Sequence, residues 1–234
     1  MPRYDSTVTV DTLALDTVAT ARTVVLTDYV GRLSNPSKMP GTAYGIPAAH
    51  CITGTKLRSV EGSTCSHCYA HERGAYAWPV VKAAYQRRFD TLGKPYWVEA
   101  MAEILNRKRG RRAGFHRWHD AGDLMSIEHL ANICRVAELT PTVKHWCPTR
   151  EYRIVADYMR QGGIIPANLN LRASAHMIGG QVPSFGHMTV SSVSDEHGRY
   201  PDAWECPARN QGNACGPCRA CWDTDVEHVT YPVH

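Results

Sequence analysis

The stretch "TVKHWCPTREYRIVADYMRQGGIIPANLNLRASA", residues 142–175, changes its hydrophobic period twice. "TVKHWCPT" is short and rich in β-branched and aromatic residues, as strands are. "REYRIVADYM" instead sets Ile154, Val155 and Tyr158 at helical spacing, with Thr149 able to cap it. "NLNLRASA" returns to alternating sides. A strand, a helix and a strand in so short a span predict a parallel βαβ unit.

The same alternation continues on either side. "AGFHRWHD" (113–120) and "HMTVSSV" (187–193) are further strand candidates. "SIEHLANICRVAEL" (126–139) is a helix with Ser126 as its cap and Ile127, Leu130, Ala131, Cys134 and Ala137 on one face. Upstream, "WPVVKAAYQRRFDTL" is opened by Pro79, and "KPYWVEAMAEILNRK" carries Trp97, Met101, Ile104 and Leu105 on one side. The expectation is an α/β core over 41–200. Residues 1–40, running into the loop-like "SNPSKMPGTAYGIPAAHC" (34–51), read as a wrapping arm, and 201–234 as a small Cys-rich module.

The 234 residues are 43% hydrophobic and 21% charged, which is ordinary for a globular protein and leaves room for one large core. The first residues carry Asp5, Asp11 and Asp16 where a secretory signal would be apolar, and no apolar run is long enough for a bilayer span. A soluble, cytoplasmic protein without a membrane partner is expected. Net charge is only +4, yet "NRKRGRR" (106–112) concentrates Lys108, Arg109, Arg111 and Arg112. That stretch reads either as a solvated helix end or as a phosphate contact to nucleic acid.

Nine cysteines in a reducing compartment point to metal ligation before disulfides, and an odd number cannot all pair within one chain. They form two sets. Cys206, Cys215, Cys218 and Cys221 follow C-x8-C-x2-C-x2-C through turns of Gly and Pro, a spacing that suits an iron–sulfur cluster or structural zinc. Cys51, Cys65 and Cys68 are three without an obvious fourth. On a 4Fe-4S cluster such a trio leaves one iron open to a ligand; the alternative is a zinc knot drawing on distant cysteines. Cys134 and Cys147 read as buried small hydrophobes.

Parallel βαβ units present functional groups at the carboxyl ends of their strands. Those ends here would carry Arg117, His119, Asp120 and Asp123, then Arg150 and Glu151, then Arg172 and Ser174. His119, Asp120 and Asp123 are candidates for the chemistry. Arg150 could grip a carboxylate or phosphate through its fork, or Arg150 and Glu151 could be surface charges at a helix start. Asp123 could equally cap the next helix and pair with Arg117. Among the twelve histidines, His67, His71 and His119 are conceivable ligands, but the H-x-E and P-C-x-x-C pairing of zinc deaminases is missing.

"CSHCYA" resembles the cluster loop of radical S-adenosylmethionine (SAM) enzymes, whose usual spacing is C-x3-C-x2-C; here thirteen residues separate Cys51 from Cys65. "NPSKMPGTAYGIPA", "TGTKL", "GSTCSHCYA", "RWHDAGDL", "HWCPTREY" and "QGNACGPCRACW" together resemble the phage gene product 88 family from about residue 35 onward. The middle of the chain is similar in order to radical-SAM-like phage proteins. These resemblances imply a partial parallel (βα) barrel roofed by the Cys loop, with SAM on the open iron and an electron donor as partner. Tyr69, Arg117, Arg150, Glu151, Arg172 and Ser174 would contact the cofactor, Tyr69 packing on cluster or adenine unless it is plain core. The substrate would be a nucleotide or nucleic acid. The rival expectation is a non-enzymatic zinc or iron–sulfur protein that binds nucleic acid through Lys108, Arg109, Arg111 and Arg112.

Overall fold

The computed structural model describes residues 25–71, 74–186 and 188–233. The first twenty-four residues of the expected arm, and His187 of the expected strand, lie outside these. Seven strands form one sheet in the order β1-β2-β3-β4-β5-β7-β6, and every neighbouring pair is parallel. They are β1 Thr42–Tyr44, β2 Phe115–Trp118, β3 Lys144–Thr149, β4 Leu169–Ser174, β5 Thr189–Ser194, β6 Trp204–Glu205 and β7 His228–Pro232. After β1 the α-helices are α1 Ile52–Leu57, α2 Pro79–Thr91, α3 Trp97–Asn106, α4 Ile127–Leu139 and α5 Tyr152–Arg160. This is an α/β fold consistent with a partial barrel.

The expected alternation is present, with local shifts that have causes. Ser126 caps α4 by accepting from His129 N at 3.0 Å. Thr149 does not cap α5 directly, since its hydroxyl accepts from Glu151 N and donates to Asp123, and the helix opens at Tyr152. Thr42–Tyr44, expected to lie in a loop, is an edge strand, and residues 201–233 supply β6 and β7 to the same sheet.

Side-chain alternation along the strands divides the sheet into two faces. On one, Tyr44, Trp118, Cys147, Leu169 and Leu171 meet Trp97, Met101 and Ile104 of α3, Leu130, Ile133 and Cys134 of α4 and Val155 of α5, forming a single core. The other face carries Phe115, Trp146, Asn170 and Arg172, and the Cys-rich segment covers its lower part. Trp222 inserts between Phe115 and Trp146 at ring distances of 5.5 and 5.2 Å. Its indole donates to His116 O at 2.9 Å.

Arg172 fastens this cover. Its two terminal nitrogens donate to five carbonyls, those of Val190, Ala220, Asp223, Val226 and Glu227, and Asn170 adds the carbonyls of Cys221 and Asp223. Arg172 therefore differs from the expectation of a cofactor contact: its guanidinium is engaged with backbone away from the strand ends, because the turns of residues 220–226 expose carbonyls that no strand partner satisfies, while Glu227 O also accepts from Val190 N. Replacing it by Met is expected to cost about 3 kcal/mol or more in urea denaturation, with early proteolysis within 206–227.

Four histidines are buried in or beside the core. Trp118 donates to His145 Nδ1 at 3.2 Å, so the ring proton sits on Nε2, facing Thr140 Oγ1 at 2.8 Å. Burial pushes His145 down to about 3 and His129 to about 4, and holds His116 and His119 well below the ordinary value. The unfolded chain binds protons at these rings below its own pKa of about 6.5 while the fold does not, so this stability is complete above that pH and is lost as pH falls. Asp123, raised to about 6 by burial, opposes the trend as one group against four. The urea midpoint is expected to fall steadily from about pH 6.5 to about pH 4.5, and a flat profile there would contradict this account.

Candidate functional site

The Cys loop is sewn to the carboxyl ends of three strands. At β3, the Glu151 carboxylate accepts from Thr53 N at 2.7 Å and from Thr53 Oγ1 at 2.8 Å. Thr53 lies in the first turn of α1, whose N-cap is Cys51, so this clamp seats Cys51 over β3. At β4, Thr64 N donates to His176 O at 2.8 Å and Ile178 N to Gly62 O at 2.9 Å, fixing the approach to Cys65. At β2, the Tyr69 hydroxyl donates to Asp120 O at 3.3 Å, just beyond Cys68.

Beneath this loop is a cavity of about 290 Å³. Cys51, Cys65, Cys68, Tyr69, Arg117, His119, Asp120, Asp123, Arg150 and Ser174 all line it. Glu151 acts from behind through Thr53. Arg58, Trp146, Ser191, Ser192 and Tyr231 also line the cavity and were not singled out in the sequence. Tyr231 had no signal to offer, because it arrives on a strand inside the segment expected to be a separate module. Ser191 and Ser192 lie within the expected strand "HMTVSSV", whose sides periodicity alone did not distinguish.

Backbone geometry brings these groups together. His119 has φ 56 at the end of β2, a left-handed conformation uncommon for a residue with a side chain and frequent at functional sites. Gly122 follows with φ 82, where a Cβ would stand 2.3 Å from the Ile46 side chain and 2.7 Å from Ile46 O. Only glycine permits that turn. It delivers Asp123 to the end of β3, where the carboxylate accepts from Thr149 Oγ1 (2.6 Å), Leu124 N (2.8 Å) and Arg150 N (2.9 Å). Asp123 thus ties two strand ends together, and it neither caps α4 nor pairs with Arg117. Asp120 accepts from Tyr85 through Oδ2 at 2.8 Å, while its Oδ1 is buried without a partner.

Burial raises the Cys51 thiol, with Asp123 and the other two cysteines adding to the effect. Cys65 is also raised by burial, while neighbouring Arg150 pulls it back down. Gly54 lies between these two sulfurs. A Cβ there would sit 2.9 Å from Cys51 Cβ, 3.6 Å from Cys51 Sγ and 3.7 Å from Cys65 Sγ. Among the described residues, no three Cys, His, Asp or Glu side chains close on a metal ion.

The second cysteine set is half-buried in the cover, with Cys221 Sγ 3.2 Å from the hydroxyl of Tyr231, which also lines the cavity. Burial pushes Cys221 up to about 11. The basic stretch precedes β2 and so lies at the opposite end of that strand from the cavity. Arg109 there donates to the carbonyls of Asn106 and Lys108, capping the end of α3. Lys108 is lowered by partial burial. Arg112 is exposed, and the Arg111 side chain lies outside the described residues. No helix among the described residues is long and apolar enough to cross a membrane.

The family model described as Gene product 88 matches residues 19–224, and the chain belongs to that phage family. No curated protein and no solved structure matches.

The clamp on α1 can be tested alone. Glu151→Ala should leave a folded protein weaker by about 1–3 kcal/mol in urea, because the first turn of α1 loses its acceptor. Cys51 should then alkylate faster relative to Cys65 by mass mapping.

Proposed function

We propose that this member of the gene product 88 family is an iron–sulfur enzyme of radical-SAM type. The observation that carries the reading is the convergence of Cys51, Cys65 and Cys68 on one cavity, with Gly54 keeping the space between two of the sulfurs clear. Glycine inside a helix costs stability relative to alanine, so a cleared gap is a physical reason for its presence in α1. Cys51, Cys65 and Cys68 would hold a 4Fe-4S cluster and leave one iron for SAM. When bound, that pair supplies one-electron cleavage of a carbon–sulfur bond and hydrogen abstraction from a substrate, given an external electron donor.

The residues of the chain have defined tasks in this reading. Glu151 fixes Cys51 through Thr53. Arg150 places a cation beside Cys65, favouring its thiolate form over the neutral thiol. Asp123 locks the ends of β2 and β3, keeping the Cys loop and the cavity wall in register. His119, held neutral by burial, presents an imidazole whose Nε2 has no partner. The cavity walls shield the reacting centre from water. The Cys206, Cys215, Cys218 and Cys221 set would take a second cluster or zinc, holding together a segment with few apolar residues.

Protein prepared anaerobically should be brown and contain iron and acid-labile sulfide. Cys65→Ala/Cys68→Ala should abolish SAM cleavage and leave a folded protein, whereas Cys218→Ala/Cys221→Ala should also lower stability. Gly54→Ala should keep all three thiols yet lose iron, its gain in helix propensity offset by the shift of Cys51 that a Cβ 2.9 Å from Cys51 Cβ forces. A colourless protein with stoichiometric zinc would instead favour the non-enzymatic binder, and full iron content in Gly54→Ala would remove the observation that carries the cluster.

A further inference from the structure

The cavity wall also holds a cation, Arg117, on which the Asp120 carboxylate acts only from beyond direct contact. The Arg117 guanidinium lies over the Trp146 ring, 4.5 Å from its centre, and Trp222 packs edge-on against the same ring. Stacking of this kind fixes the plane of a guanidinium and leaves its edge donors available. Those donors are poorly used. Nη2 reaches the Tyr69 hydroxyl only at 3.5 Å, and Nε is buried with no hydrogen-bond partner. Among the described residues, no carboxylate lies within ion-pair distance of Arg117, nor of Arg58 or Arg150 on the same cavity.

Arg117 is half-buried, and its Nε, shut off from water, is left unbonded, a donor that an anion in the cavity would satisfy. We propose that Arg117, held flat on Trp146, is the subsite for an oxyanion, phosphate or carboxylate, carried by a small-molecule substrate. An arginine fork matches either group with two parallel hydrogen bonds. The neighbouring Trp146, Tyr69 and Tyr231 rings favour a partner with a flat apolar portion beside the anion. A cavity of about 290 Å³ admits a small molecule. The basic stretch that would track a nucleic-acid backbone is at the other end of β2, so its charges are not part of this site. The subsite stands on Arg117 and Trp146 and does not require iron at the cysteines.

The full-length protein is titrated calorimetrically at constant ionic strength with inorganic phosphate and, separately, with benzoate. Binding of at least one is expected, weakened tenfold or more in Arg117→Gln and unchanged in Arg112→Gln; the arm that binds identifies the oxyanion. Retained binding in Cys65→Ala/Cys68→Ala separates this site from the fate of the cluster. Should Arg117→Gln not fold, phenylglyoxal labelling of the unaltered protein is mapped by mass spectrometry. Phosphate or benzoate should then slow modification of Arg117 and leave that of Arg112 unchanged. Binding by neither anion, equal binding in Arg117→Gln, loss in Arg112→Gln, or labelling of Arg117 at the same rate with and without anion overturns the proposal.

Discussion

A parallel sheet has to be covered on both faces, and here the two covers are of different kinds. Three helices pack one face through an ordinary apolar core. The other face is lined by Arg117, Trp146, Asn170 and Arg172, too polar to be closed by a helix stripe. It is closed instead by the Cys-rich segment, whose turns carry backbone carbonyls that need donors. Arg172 and Asn170 supply those donors, and Trp222 fills the apolar space between Phe115 and Trp146. The cover stops short of the strand ends. What is left between it and the Cys loop is the cavity.

That arrangement explains why residues far apart in sequence act together. Cys51 reaches Cys65 across thirteen residues because Glu151, about a hundred positions later, holds the turn that follows Cys51. Thr64 and Gly62 hold the approach to Cys65 on the backbone beyond β4. The loop spacing is therefore set by the strand ends it crosses rather than by its own conformation. A loop of this length costs little, since loop-closure entropy grows only slowly with length and the clamps define the geometry.

Much of the fold was legible because period and capping agreed. The β2–α4–β3–α5–β4 run, with Ser126 as cap and Trp97, Met101, Ile104 and Leu105 inward on α3, follows from hydrophobic spacing alone. The placement of Asp120, Asp123 and Arg150 at the cavity follows from where parallel strands end. Less could be read where tertiary pairing overrode local signals. Thr42–Tyr44 sits among glycines and prolines and is a strand only because β2 pairs with it. "EHVTYPV" ends a Cys-rich tail, and its pairing with β5 is a long-range contact. Arg172 resembled Arg150 in position, but the alternation of β4 turned it toward the cover, and the sequence has no marker for carbonyls waiting there.

The distribution of positive charge bears on what the cavity can accept. Taken along the chain, the basic residues of 107–112 are the densest and suggest a nucleic-acid polymer. In the fold, Arg109 is spent on capping α3, and the stretch lies at the amino end of β2. The cations that face the cavity, Arg58, Arg117 and Arg150, come from three separate segments and no charge run announces them. Surface cations in water contribute to association mainly through long-range, salt-screened attraction, whereas a stacked and desolvated guanidinium contributes through directed bonds in low dielectric. Selection of the ligand therefore rests with Arg117 on Trp146 rather than with the basic stretch, and the ligand this favours is a single small anion in the cavity that the three cysteines also line.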